Sequence, residues 1–290
     1  MHLTKKSAAE LAALNLCRSL LFYGMIVALS ASNLAAAGPA AGGPTSTPAT
    51  ILVEPSAMKP VADTMPIAAR EAFAKDPARF LSLTREILAG DPYLWLLVDK
   101  KHPLPAKYVA SDLVKIAGHS PAVVANRADL LLRQPALDAL VAMGNQARRD
   151  GVSLEASSSY RSYETQARLF SGYIKELGLA EAERESAHAG MSQHQLGTAV
   201  DFGSVTPAFA KTKAGKWLSA NAWNYGWSIS YPEGAEAQTG YMYEAWHYRY
   251  VGKAASDLIE HYFAGSQQAA LVFLHENAAK LKNLLGLQAN

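Results

Sequence analysis

Cysteine is almost absent from this 290-residue chain, whose single copy is Cys17. A disulfide framework needs pairs of cysteines, and a structural zinc site made of thiolates needs several, so both are excluded. Any metal that this protein binds must therefore be held by histidine nitrogens and carboxylate oxygens.

The chain also lacks an excess of charge of either sign. Its 27 Lys and Arg residues against 25 Asp and Glu residues give a formal net charge of +2, which is no electrostatic signature of nucleic-acid binding. It has no P-loop, no dinucleotide-binding glycine pattern, no heptad run and no internal repeat. Hydrophobic residues make up 50% of the chain, so a sizeable core can form.

The N-terminus has the features of a secretory signal. Basic residues precede a short apolar run at 19–29, and small residues follow at 35–38. The run is shorter than the roughly 20 residues that span a membrane. We therefore expect residues 1–37 to be a cleaved signal peptide, with an uncleaved N-terminal anchor as the alternative. Cys17 precedes the run, whereas a lipoprotein cysteine follows it. An exported protein of the periplasm or cell envelope is the expectation.

Composition and periodicity predict where the folded part begins. Residues 38–65, rich in Ala, Pro, Gly, Ser and Thr, predict a flexible linker. Residues 66–125 predict helices and an extended proline-containing segment packed on the core, residues 126–265 predict the core itself, and residues 266–290 predict a closing helix. The mixture of short strands and helices predicts an α+β fold with a small central antiparallel sheet flanked by helices.

Local signals place several element boundaries. Asp76 and Pro77 predict an N-cap followed by proline at the first helical position, and Gly90 predicts the end of that helix. Residues 126–150 predict one or two helices. Residues 240–248 predict a strand or the exit from one.

Two of the 8 histidines come with a carboxylate. Asp201 lies between Val and Phe in a predicted strand, and His194 precedes it across a turn at Gly197. Burying a carboxylate among apolar residues destabilises the folded state unless a positive charge pairs with it. In the second segment, Glu244 precedes His247 by three residues.

These residues suggest a metal site. His194, Asp201 and His247 would form a set of two histidines and one carboxylate with a position left for water, as in catalytic zinc sites. Glu244 could then take a proton from that water. The spacing leaves open that Asp201 pairs with an arginine and that His247 donates to a backbone carbonyl. The remaining histidines have settings typical of satisfied or exposed side chains, and they are His2, His102, His119, His188, His261 and His275.

Two motifs resemble those of a known family. They are Ser192-x-His194-x-x-Gly197-x-Ala199-x-Asp201 and Glu244-x-Trp246-His247. They are similar to the motifs of the VanY-type D-alanyl-D-alanine carboxypeptidases, a zinc metallopeptidase family related to D-Ala-D-Ala dipeptidases and LD-carboxypeptidases. The segments 100–113, 158–166 and 248–252 are similar as well, so the resemblance covers roughly residues 95–262.

The resemblance implies a zinc peptidase fold of the hedgehog and D-Ala-D-Ala peptidase type. It implies Zn²⁺ as the cofactor, with His194, Asp201 and His247 as ligands and Glu244 as the general base. Arg161 is similar to the arginine that stabilises the oxyanion or holds the substrate carboxylate, a task suited to a guanidinium.

The resemblance also implies roles for three further positions. Gln166, Ser192 and Ser159 resemble residues that bind substrate. Two departures stand out, since Ser230 occupies a position where many relatives have arginine and Asp99 one where they often have asparagine. The loss of a positive charge at Ser230 leaves substrate preference open.

The resemblance implies an exported D-Ala-D-Ala carboxypeptidase that trims the terminal D-alanine from peptidoglycan stem peptides. We expect a monomer without a nucleic-acid partner, in contact with a membrane only through an uncleaved N-terminal segment. Alternatives with the same site are an LD-carboxypeptidase, a D-Ala-D-Ala dipeptidase and a peptidoglycan endopeptidase. A non-enzymatic alternative is an inactive wall-binding module, although the presence of Glu244, Arg161 and all three ligands argues against it.

Overall fold

The computed structural model describes residues 55–288. The predicted signal peptide, residues 1–37, and the first part of the predicted linker, residues 38–54, lie outside the described residues. Within the described part, the helices are all too short or too polar to cross a membrane.

Ten α-helices and seven strands make up the described part of the chain. The helices are α1 Pro55–Ala62, α2 Ile67–Lys75, α3 Pro77–Ala89, α4 Gln134–Arg149, α5 Tyr163–Leu177, α6 Leu179–Glu185, α7 Lys213–Asn221, α8 Glu236–Thr239, α9 Lys253–Tyr262 and α10 Gln267–Leu284. Short 3-10 helices are Gln193–Leu196, Pro207–Lys211 and Ala222–Tyr225. The strands are β1 Leu113–Lys115, β2 Val124–Ala125, β3 Leu131–Arg133, β4 Glu155–Ser158, β5 Ala199–Phe202, β6 Trp227–Ile229 and β7 His247–Tyr250.

The strands form two sheets, and the larger one is mixed. β1 and β3 pair antiparallel, and the other five strands follow the order β2-β4-β5-β7-β6. The predicted antiparallel sheet is correct for β4, β5, β7 and β6 but wrong at one edge, where β2 runs parallel to β4. The connection from β2 to β4 includes helix α4, and a helical crossover returns the chain in its original direction.

One hydrophobic cluster, the helical cluster, consists of buried apolar residues of α1, α2, α3, α9 and α10 and of the segments next to them. Phe80 lies at its centre and is fully buried. The ring of Phe80 makes edge-to-face contacts with Phe73, Tyr262 and Phe273, at centroid distances of 5.1, 5.1 and 5.9 Å. This cluster therefore depends on interlocking aromatic side chains, whose packing is sensitive to truncation.

The second hydrophobic cluster, the sheet cluster, lies where α4 and α7 pack against the strands. Leu140 and Met143 of α4 contribute to it, as do Val200 and Phe202 of β5. All four residues of β5 are buried, which explains the apolar run around Asp201. The sheet cluster fixes the strands that carry the candidate site.

The predicted boundaries of α3 are confirmed. The Asp76 carboxylate accepts a hydrogen bond from the backbone N–H of Arg79 at 3.0 Å, which satisfies one of the free donors at the helix start. Pro77 occupies the first helical position, and Gly90 is the C-cap.

The last part of the predicted linker is helical instead. Helix α1 occupies Pro55–Ala62, and Met58, Val61 and Met65 are buried in the helical cluster. The Nδ2 of Asn277 in α10 donates to the hydroxyl of Thr64 at 3.0 Å. The composition of residues 38–65 suggested a linker, but the helical spacing of these three apolar residues is what determines the packing.

Two other predicted spans are shorter than expected. Only Gln134–Arg149 of the segment 126–150 is helical, because Leu131–Arg133 pairs with β1 as a strand. The segment 240–248 does not form a strand until His247. Residues 240–246 instead approach the sheet as a loop, which carries Glu244.

Candidate active site

The pairing of β5 with β7 brings the first two candidate ligands together. Asp201 lies directly opposite His247 in the antiparallel register, and Ser158 of β4 is its partner on the other side. The carboxylate Oδ1 of Asp201 is 3.0 Å from Nδ1 of His247. Both residues are buried, so the pair lies at the centre of the sheet and away from bulk water.

A short 3-10 helix, Gln193–Leu196, holds the third candidate ligand over this pair. The hydroxyl of Ser192 accepts a hydrogen bond from the backbone N–H of His194 at 3.3 Å and caps the helix. The carbonyl oxygen of His194 accepts from the N–H of Arg161 at 3.2 Å. As a result, Nε2 of His194 lies 3.2 Å from Oδ2 of Asp201.

Gly197 makes this arrangement of the backbone feasible. It ends the 3-10 helix with φ of 72°, in the left-handed region that favours glycine. A Cβ atom there would lie 2.8 Å from Cδ2 of Leu113 and 3.1 Å from Cγ of Arg133. The predicted turn at Gly197 is confirmed, and both conformation and space require glycine.

Each histidine uses its outer nitrogen as a hydrogen-bond donor. Nδ1 of His194 donates to the carbonyl oxygen of Ser159 at 2.7 Å. Nε2 of His247 donates to the amide oxygen Oε1 of Gln193 at 3.2 Å. A neutral imidazole has one donor and one acceptor nitrogen, so the nitrogens facing Asp201 carry lone pairs.

The donor set fits a zinc ion. His194, Asp201 and His247 each offer a ligand atom, and these atoms lie within 4.8 Å of one another. Two lone pairs and a carboxylate face each other without a proton to share, and this arrangement is repulsive unless a cation lies between them. Burial lowers the pKa of His194 to about 4, so its imidazole is neutral and can act as a ligand. Two imidazole nitrogens and one carboxylate are ligands that zinc accepts in catalytic sites.

Glu244 lies beside this set. Its Oε2 is 3.6 Å from Nδ1 of His247, and its side chain is 12% exposed. Its backbone N–H donates to the carbonyl oxygen of Tyr231 at 3.0 Å, which fixes the loop before β7. Burial, reinforced by the nearby Asp201 carboxylate, raises the pKa of Glu244 well above its usual value. The carboxyl group is therefore suited to hold a proton.

Arg161 brings the positive charge of the site. Its Nη1 donates to Oε1 of Gln166 at 2.6 Å, and its Nη2 donates to the hydroxyl of Ser158 at 3.1 Å. Its Nη2 is 4.0 Å from Oδ2 of Asp201, the outer limit of an ion pair. The contacts of Asp201 with His247 and His194 are shorter, at 3.0 and 3.2 Å. The histidines, and not an arginine, are therefore the main partners of Asp201.

The three residues predicted to bind substrate divide into two groups. Gln166 and Ser192 line the cleft in front of the candidate ligands. Ser159 does not line it, because its hydroxyl accepts from the backbone N–H of Leu131 at 2.9 Å. Ser159 contributes to the site through its carbonyl oxygen, which orients His194.

The cleft has a volume of about 230 Å³ and includes residues that the sequence did not single out. The ring of Tyr231 packs on that of His247 at a centroid distance of 5.0 Å. The buried hydroxyl of Tyr241 has no hydrogen-bond partner among the described residues. Neighbouring lining residues are Tyr173, Glu185 and Met242. No metal-ligand or catalytic spacing marks them in the sequence, since three different segments bring them together.

Both departures from the family pattern lie outside the cleft lining. Ser230 is 2% exposed, and its hydroxyl donates to Oε1 of Gln193 at 2.7 Å. Asp99 accepts hydrogen bonds from the backbone N–H groups of Lys101 and His102 at 2.8 and 2.9 Å. Ser230 therefore lies behind His247 and does not line the cleft.

The part of the chain that carries this site is similar to known proteins. A family model described as VanY, D-alanyl-D-alanine carboxypeptidase, matches residues 129–253. The Bacillus subtilis protein YodJ, which is named as a carboxypeptidase, is 37% identical over 181 residues, with 60% of this chain and 66% of YodJ covered. The chain spans 53% to 66% of the length of the curated relatives it matches.

Solved structures share the fold. The LD-carboxypeptidase LdcB is 35% identical with a TM-score of 0.55, and the match covers 61% of this chain and 84% of LdcB. A variant of the D,D-pentapeptidase VanY, in complex with Zn(II), is 29% identical with a TM-score of 0.52, and the match covers 62% of this chain and 99% of VanY. With the motifs at 192–201 and 244–247 assembled into one buried site, the chain belongs to the VanY-type D-alanyl-D-alanine carboxypeptidase family.

Proposed function

We propose that this chain is an exported, zinc-dependent D-Ala-D-Ala carboxypeptidase that removes the terminal D-alanine from peptidoglycan stem peptides. The observation that carries the proposal is the convergence of His194, Asp201 and His247 within 4.8 Å, with Glu244 next to them. Membership of the VanY family and the zinc complex of VanY support the choice of reaction and of metal.

The proposed metal would supply Lewis-acid chemistry, since zinc polarises a carbonyl and lowers the pKa of a coordinated water to about 7. His194, Asp201 and His247 would hold it. The hydrogen bonds from His194 to Ser159 and from His247 to Gln193 keep the two rings in place for this role.

Arg161 is suited to bind negative charge on the substrate. A carboxypeptidase must bind a terminal carboxylate, and a guanidinium offers two parallel donors for it. Gln166 and Ser158 hold the guanidinium at the cleft, so little side-chain entropy is lost on binding. The same group can stabilise the negative charge that develops on the scissile carbonyl oxygen.

Glu244 is suited to move the proton. Its carboxylate takes a proton from the attacking water and returns it to the amine nitrogen of the departing D-alanine. The raised pKa of the buried carboxyl makes its carboxylate a stronger proton acceptor for the first of these transfers. Trp246, which is 6% exposed and lines the cleft next to Glu244, helps to exclude bulk water.

The location of the substrate supports export, because peptidoglycan stem peptides lie outside the cytoplasm. The predicted signal peptide at residues 1–37 is the sequence feature behind this part of the proposal. All proposed ligands and Glu244 come from one chain, which is consistent with an active monomer.

A second candidate is an LD-carboxypeptidase, which the likeness to LdcB favours. Both reactions use the same ligands and the same base, and they differ in the configuration of the residue before the scissile bond. D-Ala-D-Ala dipeptidase and endopeptidase activities would also use this site and differ in the length of substrate that the cleft accepts.

Mass spectrometry of digested stem peptides tests the proposal. Purified protein is incubated with pentapeptide and tetrapeptide stems, with and without a chelator, and zinc is then added back. We expect loss of one alanine from the pentapeptide, inhibition by the chelator and recovery with zinc. Cleavage of the tetrapeptide alone would favour the LD reaction, whereas release of a dipeptide would favour the dipeptidase. A zinc-loaded protein that cleaves no stem would support the inactive wall-binding module.

The Glu244→Gln variant tests the role of the base. We expect it to bind zinc as the wild type does and to lose activity by roughly 10²–10⁴-fold, the usual contribution of a general base. Glu233→Gln is the matched control, because Glu233 is an exposed carboxylate in the loop before α8. Retention of activity in Glu244→Gln would remove Glu244 from the mechanism.

A further inference from the structure

Behind His247 lies a buried chain of polar side chains that ends in the C-terminal helix. Gln193, Ser230 and Gln267 are each at most 3% exposed, and all three are hydrogen-bonded to one another. Gln267 is the first residue of α10 and lies beyond residue 253, where the match to the family model ends. Buried amides of this kind are costly unless every polar atom has a partner.

The chain of hydrogen bonds starts at a backbone atom. Nε2 of Gln267 donates to the carbonyl oxygen of Ser228 in β6 at 3.2 Å. Oε1 of Gln267 accepts from Nε2 of Gln193 at 3.2 Å. Oε1 of Gln193 accepts from the Ser230 hydroxyl at 2.7 Å and faces Nε2 of His247 at 3.2 Å.

The donors and acceptors in this series of hydrogen bonds can be assigned in one way only. A backbone carbonyl can only accept, so the amide nitrogen of Gln267 must face Ser228 and its oxygen must face Gln193. The amide nitrogen of Gln193 is then the end that faces Gln267, and its oxygen faces His247. Only a ring that carries its proton on Nε2 can donate to that oxygen, and such a ring leaves the lone pair of Nδ1 towards Asp201.

We propose that Gln267 is a positioning residue for the metal site: from the C-terminal helix, it orients the amide of Gln193 and thereby selects the tautomer of His247. The inference rests on the proposed function, since it concerns the same metal ligand. The inference adds to the proposed function, because neither Gln193 nor Gln267 is a proposed zinc ligand. The helix α10 thus acts on the site through one side chain.

The competing explanation is that Gln267 only docks the first turn of α10 and does not affect the metal site. A neighbouring residue provides a matched control. Gln268 is the next residue, and its Nε2 donates to Oδ2 of Asp99 at 2.8 Å, a contact outside the metal site. Gln267→Met and Gln268→Met each replace an amide in the same turn with an apolar side chain of similar length. Both weaken the docking of α10, but only Gln267→Met frees Gln193 to turn its amide.

The zinc dissociation constant, measured by chelator competition, is the main readout. We expect Gln267→Met to weaken zinc binding by about 10–100-fold, the usual effect of losing a partner of a metal-bound histidine, and Gln268→Met to leave it unchanged. The absorption spectrum of the cobalt(II)-substituted protein should change in Gln267→Met only. Urea unfolding of the metal-free proteins measures any common loss of stability.

A double-mutant cycle completes the test. If Gln267 acts through Gln193, then Gln193→Met alone and Gln193→Met with Gln267→Met should bind zinc equally weakly. Equal zinc affinity in Gln267→Met and wild type, an equal loss in Gln268→Met, or additive losses in the cycle would each overturn the inference while leaving the proposed function intact. A wild-type protein that binds no zinc would overturn both.

Discussion

The helical cluster and the sheet cluster use buried residues in different ways. Buried polar residues are sparse in the helices of the helical cluster, where Thr84 and Asn277 are examples, and its centre consists of apolar and aromatic side chains such as Phe80. The sheet cluster borders two buried imidazoles and the buried carboxylate of Asp201, with the partly buried Glu244 and Arg161 beside them. The helical cluster can therefore be optimised for stability, whereas the sheet cluster supports a site whose charges stabilise little without a cation.

The two regions meet where α9 packs against the 3-10 helix Ala222–Tyr225 and against β6, and the first turn of α10 adds polar contacts. Gln267 of α10 reaches Gln193 beside the site, and Gln268 reaches Asp99. The candidate ligands do not belong to the helical cluster, so activity and stability should be separable by mutation, except at residues that join the two regions. Four substitutions examine this separation.

Asp201→Asn should have the largest effect. The amide has no charge and presents one oxygen, so we expect loss of stoichiometric zinc binding and of detectable turnover. The free energy of unfolding of the metal-free protein should stay the same or rise, because a buried carboxylate that faces two lone pairs is removed. Metal analysis and urea denaturation measure the two effects. A variant that retains one zinc per chain would contradict the ligand set; Asp129→Asn, at an exposed carboxylate, is the control.

Arg161→Met should come next. The loss of a fixed charge-assisted donor at the reacting carbonyl typically lowers kcat by about 10²–10³-fold. Steady-state kinetics on the stem peptide should show this loss, and zinc content should be unchanged because Arg161 is not a ligand. If zinc were lost as well, the role of Arg161 would be to support Asp201 and not to contact the substrate.

Phe80→Ala tests the helical cluster. Truncating a buried aromatic side chain costs about 3–5 kcal/mol, and Phe80 contacts three other rings. We expect a lower midpoint in urea and unchanged kcat and zinc affinity for the molecules that remain folded. A fall in kcat at low urea concentration would show that the helical cluster shapes the cleft, and the distinction between the two regions would fail.

Ser159→Ala should have the smallest effect on activity. The substitution removes the hydroxyl that accepts from Leu131 and keeps the carbonyl that orients His194. An unsatisfied buried N–H costs about 1–3 kcal/mol, so stability should fall by that amount. The kinetic constants should remain near those of the wild type. A large rise in KM would restore Ser159 as a substrate-binding residue.

The sequence predicted much of the local structure because short-range chemistry determines it. Asp76 and Pro77 begin a helix by capping and by a preset φ angle, and Gly197 turns the chain where other residues are strained. The strand around Asp201 follows from its apolar neighbours. The candidate ligands could be named from motifs, because zinc chemistry restricts ligands to a few residue types.

The features that the sequence did not predict depend on contacts between distant segments. Helix α1 has the composition of a linker, and composition does not show the burial of Met58 and Val61, to which packing against α10 contributes. Ser159 looked like a pocket residue because sequence does not show which way a side chain points. The parallel pairing of β2 could not be read from a two-residue strand.

The sequence by itself determined the chemistry of this protein: it has no cysteine ligands in its core, two histidines beside carboxylates, and an arginine in a matching motif. Only the tertiary structure decided that residues 53 positions apart, His194 and His247, face the same carboxylate. It also decided that Gln267 lies behind His247. Hydrogen bonds and metal ligation act over a few ångströms, so their partners are defined by strand register and helix packing and not by distance along the chain.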